Sequence, residues 1–251
     1  MTEHVVIEDT GSVRLIRLDR PDKLNALTSA MYDALREALA EADGSEAIGA
    51  VVFSGAPGAF SSGNDLSDFV EASRHPFENS PALHFIRQLA RTRTPMVAAV
   101  DGVAVGIGAT LTLHCDLVYA SPAARFRMPF VELGLVPEAG SSYLLPRRIG
   151  LQRATEILLF SEPYDADEAV RLGLVNAVIP ADLLLDHALT KAGRLAALPK
   201  GPMHATRALI RGDQAALEAA VETEAVAFET RLRSPEAQAA FAAFLNRSRK
   251  T

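Results

Sequence analysis

The chain has 251 residues, a formal charge of −6, 49% hydrophobic and 22% charged residues, enough for a sizeable core in one large α/β domain or two small ones. That acidic balance, with no basic stripe, argues against a nucleic-acid surface. Cys115 is the single cysteine, so no internal disulfide can form and a reducing, intracellular setting is expected.

The opening "MTEHVVIEDT" carries acids where a signal peptide carries bases, and no apolar h-region follows it. "SVRLIRLD" (Ser12 to Asp19) alternates as a half-buried strand and stops at the turn "RPDKLNAL". A helix is predicted from near Thr28, with Met31, Leu35 and Leu39 on one face. "GAVVFSG" reads as a buried strand running into the loop "APGAFSSGNDL", and a helical stretch around Leu83 to Ala90 precedes the strand "PMVAAVDG". A glycine-rich turn "VGIGA", a helix and the short strand "DLVYAS" follow. Strands alternating with helices at this spacing indicate α/β with repeated crossovers. The apolar run Val103 to Leu113 is too short for a membrane span and reads as core. After about Tyr164 strand signals fade; "DADEAVRLGLVNAVIP" reads as a helix stopped at Gly173, and from Asp182 onward the pattern is helical. Leu217, Val221, Val226, Phe228 and Leu232 fall near helical spacing, an apolar face to be covered by the domain or by another subunit.

Chemistry can sit at two loops that each follow a strand and precede a helix: "GAFSSGNDL" (Gly58 to Leu66) and "DGVAVGIGA" (Asp101 to Ala109). Backbone N–H groups at helix starts are unpaired, and two such loops converging would form an anion site, or an oxyanion hole in acyl chemistry. The glycines fit neither GxGxxG nor a phosphate loop. The six histidines show no close metal spacing. Ser141 and Ser142 lack a nucleophile elbow, and His114 and Cys115 read as packed or capping groups. In "VPEAGSSYLLP" (Val136 to Pro146), Glu138 is flanked by apolar chain. Such a carboxylate is either solvated at a loop tip or held in a pocket where burial makes it a usable base.

In their order, "LDRPDKLNAL", "GAFSSGNDL", "AAVDGVAVGIGATLTLHCDLVYAS", "MPFVELGLVPEAGSSYLLPRRIG" and "DADEAVRLGLVNAVIP" resemble the crotonase (enoyl-CoA hydratase/isomerase) superfamily over nearly the whole chain. The resemblance implies an α/β spiral of repeated ββα units over residues 1–190, and a helical region over 191–251 used in trimers or dimers of trimers. It implies an acyl-CoA thioester substrate and no metal or redox cofactor (coenzyme A being part of the substrate); on composition, neither a membrane nor a nucleic-acid partner is expected. By position, the oxyanion hole would be the backbone N–H groups of Asn64 and Ile107. Coenzyme A would lie against Lys23, Leu24 and Ala26 and against Ser62, Asp65 and Leu66, with Lys23 either at a phosphate or solvated.

Hydratases of this family use two glutamates, and at those positions this chain has Thr110 and Phe130. Glu138 stands where the peroxisomal type of Δ3,Δ2-enoyl-CoA isomerase carries its base, and "SGNDL" and "PEAGSSY" resemble that subgroup. The resemblance therefore implies a 3-enoyl to 2-enoyl-CoA isomerase of fatty acid metabolism with Glu138 as base and Glu132 solvated. The rivals are a hydratase or an isomerase of ring-derived acyl-CoA on the same scaffold, and a non-catalytic CoA- or RNA-binding relative. The ending "RSRKT" lacks the peroxisomal address, so a bacterial cytoplasm is expected. The stretch from Phe69 to Phe85 is expected to wall the acyl pocket.

Overall fold

A computed structural model describes residues 2–72 and 75–248; residues 73 and 74 of the expected acyl-pocket wall and the last three residues of "RSRKT" lie outside the described residues. Strands β1 (Val5–Thr10) and β2 (Val13–Leu18) form an antiparallel pair, and helix α1 (Ser29–Gly44) follows, its first turn closed by the Thr28 hydroxyl accepting from Met31 N. Next come β3 (Ala50–Gly55), β4 (Ala59–Ser61), α2 (Leu66–Ala72) and α3 (Pro81–Arg91), then β5 (Met96–Val100), β6 (Val103–Val105) and α4 (Ile107–Thr110). A third round is β7 (Leu117–Ala120), β8 (Arg125–Arg127), α5 (Ser141–Ile149) and α6 (Leu151–Phe160).

From β3 to β8, alternate strands enter different sheets. The larger sheet has the order β1-β2-β3-β5-β7, and the smaller one β4-β6-β8. Each round thus lays one strand in each layer before a helix returns the chain, which is the expected ββα spiral. The larger sheet is parallel beyond its first pair. β9 (Tyr164–Asp165), α7 (Ala166–Arg171) and β10 (Ala177–Val178) close it, with β9 completing the smaller sheet and β10 the larger.

Helices α8 (Ala181–Ala196), α9 (Lys200–Arg211), α10 (Gln214–Leu232) and α11 (Pro235–Ser248) end the chain. The central strands β3 and β5 of the larger sheet are buried on both faces, which is why they read as unbroken apolar runs. Val13, Leu15, Val52, Val97 and Ala99 meet Leu184, Ala188 and Ala192 of α8, while Ile16, Val51, Phe53 and Ala98 point into the main core. Because α8 packs on this sheet through its last turns, the expected boundary at residue 190 falls inside a helix of the core layer.

On α10 one of two alternatives is settled and one placement needs correction. The apolar stripe of α10 is covered within the chain: Leu217, Val221, Phe228 and Leu232 are all in the main core, so that face gives no argument for a partner subunit. Val226 is not on the stripe and is 70% exposed. β1 was hidden because only Val5 along it is buried, leaving an edge strand no alternation to show. Among the described residues no helix is long and apolar enough to cross a membrane.

Candidate active site

The two glycine loops meet. Gly63 and Gly106 take positive φ (95° and 55°), and a Cβ built on Gly106 would stand 4.0 Å from the Gly63 Cα. At Gly63 a Cβ would be 3.0 Å from the Val105 carbonyl oxygen, an approach that leaves little room for a side chain. Leu27 forms an isolated parallel bridge with Asn64, donating to the Gly63 carbonyl at 2.8 Å and accepting from Asp65 N at 2.9 Å. That pairing leaves the amide of Asn64 itself pointing away from Leu27. Ile107 is the first residue of α4, so its amide has no intrahelical partner. Among the described residues neither amide donates a hydrogen bond. The Asn64 side chain is held from α1, its Oδ1 accepting from the Tyr32 hydroxyl at 2.6 Å.

Thr110 lies one helical turn beyond Ile107, and its hydroxyl donates to Glu138 Oε1 at 2.6 Å. Glu138 is therefore one turn and one hydrogen bond from the Ile107 amide, and only 7% exposed. Burial pushes its carboxyl up to about 8, with the charge of Glu224 adding to the rise and the Thr110 hydrogen bond opposing it. Tyr32, fully buried, is pushed well above the ordinary phenol value by burial first and then by Glu138 and Asp68, so it stays a neutral donor.

The turn after Glu138 is fixed at every residue. Ala139 and Gly140 both adopt left-handed φ (57° and 68°). The Glu138 carbonyl accepts from Ser141 N and its hydroxyl, at 3.1 and 2.6 Å. His114 Nε2 donates to the Ala139 carbonyl at 2.7 Å, and burial drives the imidazole down to about 3, so it is neutral at working pH. Gly140 N donates to Glu224 Oε2 at 2.6 Å, and Ser142 N to Glu224 Oε1 at 2.8 Å. Ser141 and Ser142 are thus structural hydroxyls, and Cys115 is a buried thiol pushed up to about 12.

The residues expected along coenzyme A form one stitched surface. Lys23 is exposed at the end of the short turn Pro21–Lys23, and its carbonyl accepts from the Ser62 hydroxyl at 3.2 Å. Leu24 (φ 49°) is half exposed, and its carbonyl accepts from Ser62 N at 2.9 Å. Ala26 is buried and Leu66 half-buried at the start of α2. The Asp65 carboxylate is already committed, pairing with Arg20 at 2.7 Å and accepting from Ser67 N and Asp68 N.

Asn25 was not singled out in the sequence. It is wholly buried, accepts from Arg20 N at 2.8 Å and donates to the Ala59 carbonyl at 2.7 Å, tying this turn to β4. Phe130 is packed in the core. Glu132 is exposed and paired with Arg127.

A cleft of about 20 Å3 adjoins Asn64, walled by Leu27, Tyr32, Phe69, Phe77 and Leu232. Behind it Phe77 stacks on Phe228 at 5.1 Å, and Phe69 meets Phe228 and Phe241 edge-on. The expected wall segment is thus represented by Phe69, Phe77 and Ala82, and an acyl chain has room only if these side chains yield. A far larger cavity, about 670 Å3, lies between α5, α9 and α10. His114 and Cys115 line it, but Glu138, Thr110, Asn64 and Ile107 do not, and size alone would misplace the site. No cluster of His, Cys, Asp and Glu suited to a metal occurs among the described residues.

A two-sheet spiral with paired free amides beside a buried acid defines a crotonase-fold enzyme. Residues 8–251 match the model of the family described as enoyl-CoA hydratase/isomerase. A probable enoyl-CoA hydratase of Rhizobium meliloti is 35% identical over 250 residues, 97% of this chain and 95% of that protein. Enoyl-CoA delta isomerase 2 of Rattus norvegicus is 36% identical over 98% of this chain and 64% of its own length. Among solved structures, OdaA of Pseudomonas aeruginosa superposes with a TM-score of 0.93 at 41% identity, covering 97% of this chain and 99% of that one. The chain belongs to the enoyl-CoA hydratase/isomerase family and is an enzyme of acyl-CoA thioesters.

Proposed function

We propose that this enzyme moves the double bond of a 3-enoyl-CoA to the 2,3 position, with Glu138 as its single proton carrier. One observation carries the reading. Of the two buried carboxylates among the described residues, Glu224 is saturated by Gly140 and Ser142, whereas Glu138 accepts only from Thr110 and adjoins the free amides. In the ionised form Glu138 takes a proton from C2, and the electron pair moves onto the thioester oxygen between the amides of Asn64 and Ile107. The resulting dienolate takes the same proton back at C4, leaving a conjugated 2-enoyl thioester. Each amide donor contributes about 3 to 4 kcal/mol by comparison with other oxyanion donors. A carboxyl near 8 suits a group that must both remove and return a proton.

Adding water needs one group to activate it and another to move a proton. Thr110 and Phe130 stand where the hydratases of the family are expected to carry their two glutamates. The hydratase name of the Rhizobium relative nonetheless supports the rival reading, hydration of 2-enoyl-CoA. Purified protein assayed on both substrates separates them: isomerisation of 3-enoyl-CoA is expected, and faster hydration of 2-enoyl-CoA would overturn the proposal. Coenzyme A would lie along Lys23, Leu24, Ala26, Ser62, Asp65 and Leu66. Asp65 serves there through its backbone, since its carboxylate is held by Arg20. For the assembly we propose a homotrimer or a dimer of trimers, with the exposed Leu209 and Ile210 of α9 as apolar surface for it. Sedimentation as a monomer at micromolar concentration would refute that.

A further inference from the structure

Glu224 is a buried carboxylate on α10 that the proposed chemistry does not use. Its partners all belong to the turn that carries Glu138: Oε2 accepts from Gly140 N at 2.6 Å, and Oε1 from Ser142 N at 2.8 Å and from the Ser142 hydroxyl. These are the orphan donors of the α5 N-terminus, which has no cap of its own because its N-cap residue is Gly140. A glycine is favoured there by its φ of 68°, and a Cβ would stand 2.6 Å from Leu217 Cδ1, the end of a side chain on the same α10. A residue of the helical C-terminal region therefore does what a local Ser or Asp does elsewhere.

We infer that Glu224 is a positioning residue for Glu138, a carboxylate clamp reaching from α10 to fix the 138–142 turn and set the environment of the base. This rests on the proposed role of Glu138. Glu138 is faced by Thr110 of α4 and Tyr32 of α1, and its own turn is held by His114 and Glu224. Thr110 carries no charge, Tyr32 stays protonated and His114 stays neutral. The other acids of α10 are spent on arginines: Glu218 pairs with Arg91, Glu222 with Arg87, and Glu229 with Arg233. Burial raises the Glu224 carboxyl and its hydrogen bonds from Ser142 and Gly140 oppose the rise; in its ionised form it is the group that places a negative charge near the base, consistent with its part in raising Glu138.

The test is Glu224→Gln, read as kcat, KM and the pH profile on 3-enoyl-CoA, in the wild-type and Glu138→Gln backgrounds. In the wild-type background kcat is expected to fall about 10-fold with KM within about 2-fold, since the clamp touches neither amide donor nor the coenzyme A surface. The midpoint of the pH profile should move to lower pH, because a negative neighbour has been removed. Glu224→Asp, which keeps the charge, should hold the midpoint nearer the wild-type value. In the Glu138→Gln background the Glu224 change should add nothing, because the two act as a unit.

Unchanged kcat and midpoint in Glu224→Gln overturn the inference, as does an equal loss in both backgrounds. If Glu224→Gln does not fold, Ser142→Ala removes one hydroxyl bond, is expected to lower kcat about 2- to 3-fold, and overturns the inference if kcat is unchanged. Full activity of Glu138→Gln alone would instead defeat the reading of Glu138 as base, a result distinct from all of these.

Discussion

Glu132 and Glu138 lie on one connection between β8 and α5, and they live under opposite rules. Glu132 sits on an exposed turn with Arg127 for company, so water and salt set its behaviour. Glu138 is enclosed, accepts one hydrogen bond, and is followed by a turn with two consecutive left-handed residues. A carboxylate becomes chemically useful through the enclosure built around it. Here that enclosure comes from α1, α4, the segment carrying His114, and α10.

The contrast breaks most sharply under Glu138→Gln, which keeps the shape and removes the proposed base. Its kcat on 3-enoyl-CoA is expected to fall at least about 100-fold with binding retained, as measured by steady-state kinetics. The same variant should be more heat-stable than wild type at pH 9. The raised carboxyl means the folded state binds more protons than the unfolded one between about 4.5 and about 8, so wild-type stability declines as pH rises through that window. A thermal melt at pH 9 showing Glu138→Gln less stable than wild type would contradict the enclosure.

Gly140→Ala attacks the turn instead of the acid. Strain at positive φ and contact with Leu217 are expected to cost about 1 to 2 kcal/mol, read in urea unfolding, with a drop in kcat accompanying it. Thr110→Val leaves the acid in place and removes its only hydrogen bond. Because that bond lowers the carboxyl, its loss should move the ascending limb of the pH profile above the wild-type midpoint near pH 8 and reduce kcat at pH 7 several-fold, by about 3- to 10-fold. The smallest effect belongs to Glu132→Gln, whose kcat should stay within about 2-fold of wild type. A large loss there would reverse the assignment of the two acids.

How far the sequence foretold this differs between strands, loops and the acid's surroundings. Met31, Leu35 and Leu39 on α1 and the apolar strands β3 and β5 follow from period and run length, and all are buried. β4 and β6 were read as parts of glycine loops because three residues are too few to show alternation. Glu138 drew notice as an acid between apolar neighbours, but local sequence could not tell a solvated tip from a pocket. Its hydrogen-bond donor is Thr110, and its turn is held by His114 and by Glu224, the last 84 positions away from Gly140.

A signal for Glu224 was present and went unread. Leu217, Val221, Phe228 and Leu232 leave a gap in their helical stripe that position 224 fills, so an acid in line with core residues should be buried. Val226, near in spacing to that stripe, is instead exposed, and the buried position of that turn belongs to Glu224. Tyr32 also falls on the buried face of α1, yet nothing near it in the chain names Asn64 as its partner.

The span between Gly140 and Glu224 has a consequence for the order in which the enzyme matures. Sheets β3-β5-β7 and β4-β6-β8 use residues 50 to 127, so the spiral can assemble while α10 is still unsynthesised or undocked. Long-range closures of this kind form late. The chain is then expected to pass through a stage that has its sheets and its amide pair but holds the base loosely. In refolding from urea, far-ultraviolet circular dichroism should recover before isomerisation of 3-enoyl-CoA, and simultaneous recovery would show that α10 docks with the spiral and not after it.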